Sequence, residues 1–135
     1  MSREESNFAG VLIKAKDTNR VLLVLRNSIC DEPNTWALVS GGINDGEDVL
    51  EGLKREVYEE LSVNPDIIKY DFNSTEKGDG FDFFYYEGFT EHEFLPILNE
   101  EHDDFGWFDE NDLPSPLYPE VINKIKNICK ITRNI

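Results

Sequence analysis

Residues 40–63 read Ser-Gly-Gly-Ile-Asn-Asp-Gly-Glu-Asp-Val-Leu-Glu-Gly-Leu-Lys-Arg-Glu-Val-Tyr-Glu-Glu-Leu-Ser-Val. A glycine-rich segment runs into a periodic one. Leu50, Leu53, Val57 and Leu61 recur at spacings of three, four and four, which is one apolar stripe and predicts a helix over residues 47–61. Acids crowd its first turn, where the helix dipole favours them. Asn64-Pro65 then stops it. At 100° per residue, Glu56, Glu59 and Glu60 share an arc beside the stripe. Three like charges at that spacing repel one another, and a hard divalent cation removes the repulsion by taking carboxylate oxygens as ligands. Gly52 lies on the same arc. Inside a helix it costs about 1 kcal/mol against alanine, so its missing side chain points to a metal cluster, an approaching loop or close packing. Arg55 stands between Glu51 and Glu59 at i,i+4 and is placed to orient Glu59. Upstream, Gly41 and Gly42 let backbone approach a phosphate, or offer a carbonyl to a metal.

Outward from this stretch the chain alternates. Residues 8–14 and 20–26 read as two apolar strands joined by the turn at 16–19, a hairpin. Residues 27–35 are a loop, 36–39 a short strand, 67–72 a strand and 73–80 a polar loop. The aromatic run 81–89 reads as a central strand, 105–108 as a short strand, 113–116 as a break and 118–133 as a closing helix. Strands on both sides of a helix, followed by a last helix, predict an α/β fold with a mixed sheet covered on both faces.

The chain has 135 residues, 28 of them acidic and 13 basic, for a net charge of −15. That length suits one domain with a core of its own. The charge repels phosphate backbones and argues against long nucleic acids and anionic membranes. No apolar run reaches the length of a membrane span, and the first residues lack signal-peptide character. The two cysteines, Cys30 and Cys129, form no paired motif. A cytoplasmic protein with reduced thiols is therefore expected, as a monomer or homodimer.

Gly41, five residues, Glu47, seven residues, then Arg55-Glu56-Val57-Tyr58-Glu59-Glu60-Leu61-Ser62-Val63 resembles the Nudix box, G-x5-E-x7-R-E-U-x-E-E-x-G-U, where U is a bulky aliphatic residue. Eight of nine specified positions match, the departure being Ser62 where the family has glycine. The flanks are also similar: a hairpin ending in Arg26, Trp36-x-Leu38 before the box, and Glu101-His102-x-x-Phe105-x-Trp107-Phe108 followed by Asp112-Leu113-Pro114.

The resemblance implies a Nudix-type α/β/α sandwich over residues 1–135. It implies hydrolysis of a nucleoside diphosphate linked to another moiety, with Mg2+ or Mn2+ as cofactor. By the same resemblance Glu59 and Glu60 bind metal, and Glu56 binds metal or activates water. Arg55 orients a glutamate, and the Ser40 carbonyl ligates metal. A downstream acid completes the set or serves as base: Glu101 first, with Glu100 and Asp103 as alternatives. Arg26 is read as a phosphate contact or a strand-end charge. Gly41, Gly42 and Phe81 are read as substrate contacts, most of the neighbouring aromatics as core, and Trp36 and Trp107 as core or cleft wall. His102 is read as a surface residue, and His92 carries no signal.

The expected partner is a small nucleotide, with a nucleoside triphosphate ahead of ADP-ribose, a nucleotide sugar or a dinucleoside polyphosphate. Residues 78–81, Gly-Asp-Gly-Phe, carry neither the proline nor the tyrosine that marks two of those subfamilies. A non-catalytic nucleotide sensor is the rival from another class. The acids themselves fit the chemistry: residues 41–63 and 91–112 hold 16 of the 28. Such a cluster attracts Mg2+, and the bound ion reverses the local sign for a phosphate.

Overall fold

The computed structural model describes residues 6–118, so the closing helix expected over 118–133 lies outside the described residues. Seven strands form one mixed sheet: β1 (Ser6–Ala15), β2 (Val21–Arg26), β3 (Trp36–Ala37), β4 (Val39–Ile43), β5 (Lys69–Lys77), β6 (Phe81–Thr90) and β7 (His102–Phe108). Among the described residues one α-helix, α1 (Val49–Leu61), stands between β4 and β5.

The path through the sheet is β3-β2-β1-β6-β5, with β1 and β6 parallel and the other pairs antiparallel. The expected hairpin is present, yet β1 and β2 pair only at Ile13 with Leu22 and Lys14 with Val21. Beyond that point they part. Along the same edge of β1, β4 takes over from Asn7 to Val11, while β3 takes over beside β2 at Val24 and Leu25. The continuous β3–β4 segment fills the fork, which brings the glycines of β4 beside the N-terminal half of β1.

Both faces of the sheet are apolar, so its inner strands read as continuous hydrophobic runs. On one face Ala9, Val11, Ile13, Leu22, Val24 and Val39 pack against Leu53, Val57 and Leu61 of α1. On the other, Leu12, Val21, Leu23, Leu38 and Tyr85 meet Trp36, Phe83, Phe108 and Leu113. Trp107 belongs to the first core and donates its indole N–H to the Phe94 carbonyl, while Trp36 stands edge-on to Phe108.

Several boundaries differ from the sequence reading. Helix α1 starts at Val49, because Asp48 caps it by accepting from the backbone N–H groups of Leu50 and Glu51. Residues 65–67 form a single 3-10 turn capped by Asn64, so the strand expected from 67 begins at Lys69. That strand continues through the expected polar loop as far as Lys77. Its polar residues suit an edge strand with solvent around it, and pairing with β6 sets its length. Strand β7 begins at His102, three residues before the apolar run that signalled it.

Ser62 ends α1 in the left-handed conformation that glycine takes in the box consensus, φ 56° and ψ 36°, and donates its N–H to the Tyr58 carbonyl. A Cβ is disfavoured there by about 1 kcal/mol. Ser62→Gly should therefore raise the unfolding free energy by about 0.5–1 kcal/mol in a urea titration. A decrease would mean that the Ser62 side chain stabilises the turn.

Candidate active site

The site is built where α1 crosses the fork of the sheet. Arg55 is its hub. Its guanidinium donates from Nε to Glu47 Oε2 at 2.9 Å and from Nη2 to Glu47 Oε1 at 3.1 Å. Nη2 also reaches the Gly42 carbonyl at 2.8 Å. Nη1 donates to Glu56 Oε1 at 2.9 Å and to both Glu59 oxygens, at 3.2 and 3.1 Å. Arg55 thus orients Glu59 as its spacing suggested, but its other main partner is Glu47 rather than Glu51. Glu47 reaches back along the loop and accepts the Asn44 N–H as well, and these bonds hold its carboxyl below the usual carboxylate range. The sequence reading gave Glu47 no role beyond its place in the motif. The structure makes it the anchor between loop and helix. Gly52 serves this approach: a Cβ there would stand 2.6 Å from Ile43 Cδ1 and 2.9 Å from Glu47 Oε1.

Glu56 lies directly against Gly41. A Cβ on Gly41 would fall 1.9 Å from Glu56 Oε2, so only glycine leaves this carboxylate its place. Burial raises the Glu56 pKa, opposed by hydrogen bonds with Glu60 and Arg55. Glu60 is 1% exposed at the edge of the helix face that packs on the sheet. Burial pushes its pKa up strongly, reinforced by Glu56 and by the charges of Glu101 and Glu59. One of its oxygens, Oε2, is buried without a hydrogen-bond partner among the described residues. Glu59 remains the most exposed of the three.

A groove of about 690 Å³ opens beside this cluster. Ser40, Gly41 and Gly42 line one part of it, Phe8, Phe81 and Phe83 another, and Arg26 and Glu101 a third. Arg26 is held by the Asp31 carboxylate and backbone carbonyl, and stacks 4.6 Å from the centre of the Tyr118 ring. Phe81 meets Phe8 edge-on at 5.9 Å, and Phe8 stacks on Phe83 at 6.2 Å. Of the three downstream acids, Glu101 is the one that lines the groove, and its charge acts on Glu60. The backbone of Glu101 is tied to the loop after β2, its carbonyl accepting from the Asn27 N–H at 3.1 Å and from Cys30 Sγ.

His102, a surface residue by sequence, is instead buried: its side chain is 7% exposed and its Nε2 lies 3.7 Å from Glu60 Oε1. Burial lowers its pKa to about 4, with the Arg26 charge adding to the effect. Nothing local in sequence signals this burial. It comes from the pairing of β7 with β2.

As placed, no three His, Cys, Asp or Glu side chains among the described residues stand close enough to share a metal ion. Arg55 holds Glu56 and Glu59, and Asn99 donates to Glu101. The donor set nevertheless fits a hard divalent cation. It is all oxygen, and Glu60 presents a buried oxygen without a partner among the described residues. The repulsion that raises the Glu60 pKa is the kind a cation relieves.

The family model for the NUDIX domain matches residues 6–128. The chain is 33% identical over 115 residues to dihydroneopterin triphosphate diphosphatase of Haemophilus influenzae, covering 72% of this chain and 70% of that one. It is 40% identical over 62 residues to Nudix hydrolase 7 of Arabidopsis thaliana, covering 45% of this chain but only 22% of that relative's length. The crystal structure of a Nudix hydrolase from M. smegmatis, RenU, shares the fold with a TM-score of 0.79 at 16% identity, covering 98% of this chain and 88% of that one. No described helix is long and apolar enough to cross a membrane. With the box on α1, the forked mixed sheet and a family match along most of its length, the chain belongs to the NUDIX domain family.

Proposed function

We propose that residues 1–135 act as one Nudix hydrolase domain that cleaves the pyrophosphate linkage of a small nucleotide, a nucleoside triphosphate first. The observation that carries this reading is the buried Glu60 beside Glu56, which Arg55 holds against the glycine floor of a groove with an arginine and aromatic rings. Glu56, Glu59 and Glu60, with the Ser40 carbonyl and Glu101, would hold Mg2+ or Mn2+. When bound, such an ion neutralises charge on the diphosphate oxygens and lowers the pKa of water. Arg55 holds Glu56 and Glu59 beside the groove, from which their carboxylates would turn to the ion. Glu56, its pKa raised by burial, would be the residue that takes a proton from the attacking water where it does not bind the ion. Arg26 meets a substrate phosphate, and Phe81 with Phe8 offers faces for a planar ring.

A triphosphate substrate is supported by the triphosphate diphosphatase among the relatives. The net charge of −15 disfavours a long RNA. A panel of nucleoside triphosphates, nucleotide sugars, ADP-ribose and dinucleoside polyphosphates, scored by product, tests the reading. Pyrophosphate released from a triphosphate is the expected product. Removal of divalent ions with EDTA should abolish turnover, and excess Mg2+ should restore it. Full activity after chelation would overturn the metal assignment. Tight binding of one member without hydrolysis would point to a sensor.

A further inference from the structure

Two buried polar atoms lack hydrogen-bond partners among the described residues, Glu60 Oε2 and His102 Nδ1, and they belong to side chains that face each other. The two residues come from different elements. Glu60 sits one residue before the end of α1, and His102 is the first residue of β7. Their juxtaposition depends on an irregularity in the sheet. Strand β7 pairs Asp104 with Leu25 and then His102 with Arg26, so that Asp103 is the extra residue of a bulge. A bulge of this kind re-aims the side chain beside it. His102 Nε2 stands 3.7 Å from Glu60 Oε1, with side chains 7% and 2% exposed. That distance is just beyond a hydrogen bond. An imidazole so deeply buried has no use as a surface group, and a buried carboxylate needs a donor once it is ionised.

We propose that His102 is a positioning residue for Glu60: its Nε2–H donates to the Glu60 carboxylate and fixes the direction of that ligand when a divalent cation is held. The proposal rests on the metal reading of Glu60 given above. Glu60 would hold the cation, and the imidazole N–H would secure the Glu60 carboxylate as outer-shell partners of metal ligands do. Nothing covalent is formed.

The test is binding of Mn2+ to the full chain without substrate, followed by electron paramagnetic resonance of the free ion. His102→Phe keeps a ring in the pocket and removes the donor. It should weaken Mn2+ binding about 10- to 100-fold. His102→Gln places an amide N–H near the position of Nε2 and should stay within about three-fold of the wild type. Cooperative thermal unfolding in EDTA, similar for all three proteins, excludes misfolding. His102→Leu replaces the phenylalanine variant if that one does not fold. In a Glu60→Gln background the same His102 substitution should change Mn2+ affinity little, since its target is gone. Unchanged affinity in His102→Phe would overturn the proposal. So would equal losses in the phenylalanine and glutamine variants, which would mean packing rather than donation. A wild-type chain that binds no Mn2+ would instead overturn the metal reading itself, and the positioning role with it.

Discussion

Glu60→Gln should yield a folded protein whose Mg2+-dependent turnover is lower by about 10²- to 10³-fold, the effect of removing a charged group worth several kcal/mol at the reacting centre. The fold survives because glutamine has the shape of the protonated carboxyl. In the metal-free chain that protonated form is favoured, since burial and the charges of Glu56, Glu101 and Glu59 raise the Glu60 pKa. The same shift gives a second readout. Between the ordinary carboxylate range and the raised native value, the folded chain keeps a proton that the unfolded chain has released. Glu60 therefore makes wild-type stability fall as pH rises through that window. In EDTA, urea unfolding between about pH 5 and about pH 8 should show a shallower decline for Glu60→Gln than for the wild type. Wild-type turnover at saturating Mg2+ would sink the ligand assignment, and an unchanged pH slope would sink the protonation argument.

Gly41→Ala should separate the site from the fold. The alanine Cβ would overlap Glu56 Oε2 at 1.9 Å, Cδ at 2.1 Å and Cγ at 2.6 Å. All three atoms lie toward the end of a side chain that can swing away, and Gly41 is otherwise a regular strand residue paired with Ala9. Stability should thus change by no more than about 1 kcal/mol. Turnover should fall about 100-fold, because Glu56 leaves the position that Arg55 and the glycine floor define. Gly42→Ala is the matched control. Its Cβ would meet nothing nearer than Phe8 Cε1 at 3.8 Å, so Glu56 stays in place and the loss is no more than about ten-fold. Equal losses in the two variants would show that the glycines act through backbone conformation and not through room for Glu56. Global unfolding of Gly41→Ala would show that the Glu56 contact also holds the fold together.

Local order was legible because local physics produces it. Apolar residues at helical spacing mark the buried side of α1 wherever the helix docks, and the same spacing puts Glu56, Glu59 and Glu60 on one arc. The apolar runs that become β1 and β2 are buried on both faces, that of β6 is half-buried, and all three announce themselves by composition. The second half of β5, residues 73–77, did not, because an edge strand needs little apolar surface and its hydrogen bonds to β6 carry no mark in its own residues. For the same reason Glu100, Glu101 and Asp103 could not be told apart along the chain. Their order in sequence is fixed, but which one enters the groove depends on how the turn before β7 is tied to the loop after β2.

By itself, then, the sequence determined the helix with its acidic arc, the glycine-rich approach to it, the apolar strands and the family they imply. Each of these is a matter of residues within a few turns of one another. Only the tertiary structure decided that Arg55 spans Glu47, Glu56 and Glu59 at once, that Gly41 makes room for Glu56, and that Glu101 lines the groove. It alone placed His102 against Glu60. These contacts join loop, helix and strands through the fork of the sheet and a bulge in its register. Register is a collective property of paired strands, set by packing across the whole sheet, and no single segment carries it.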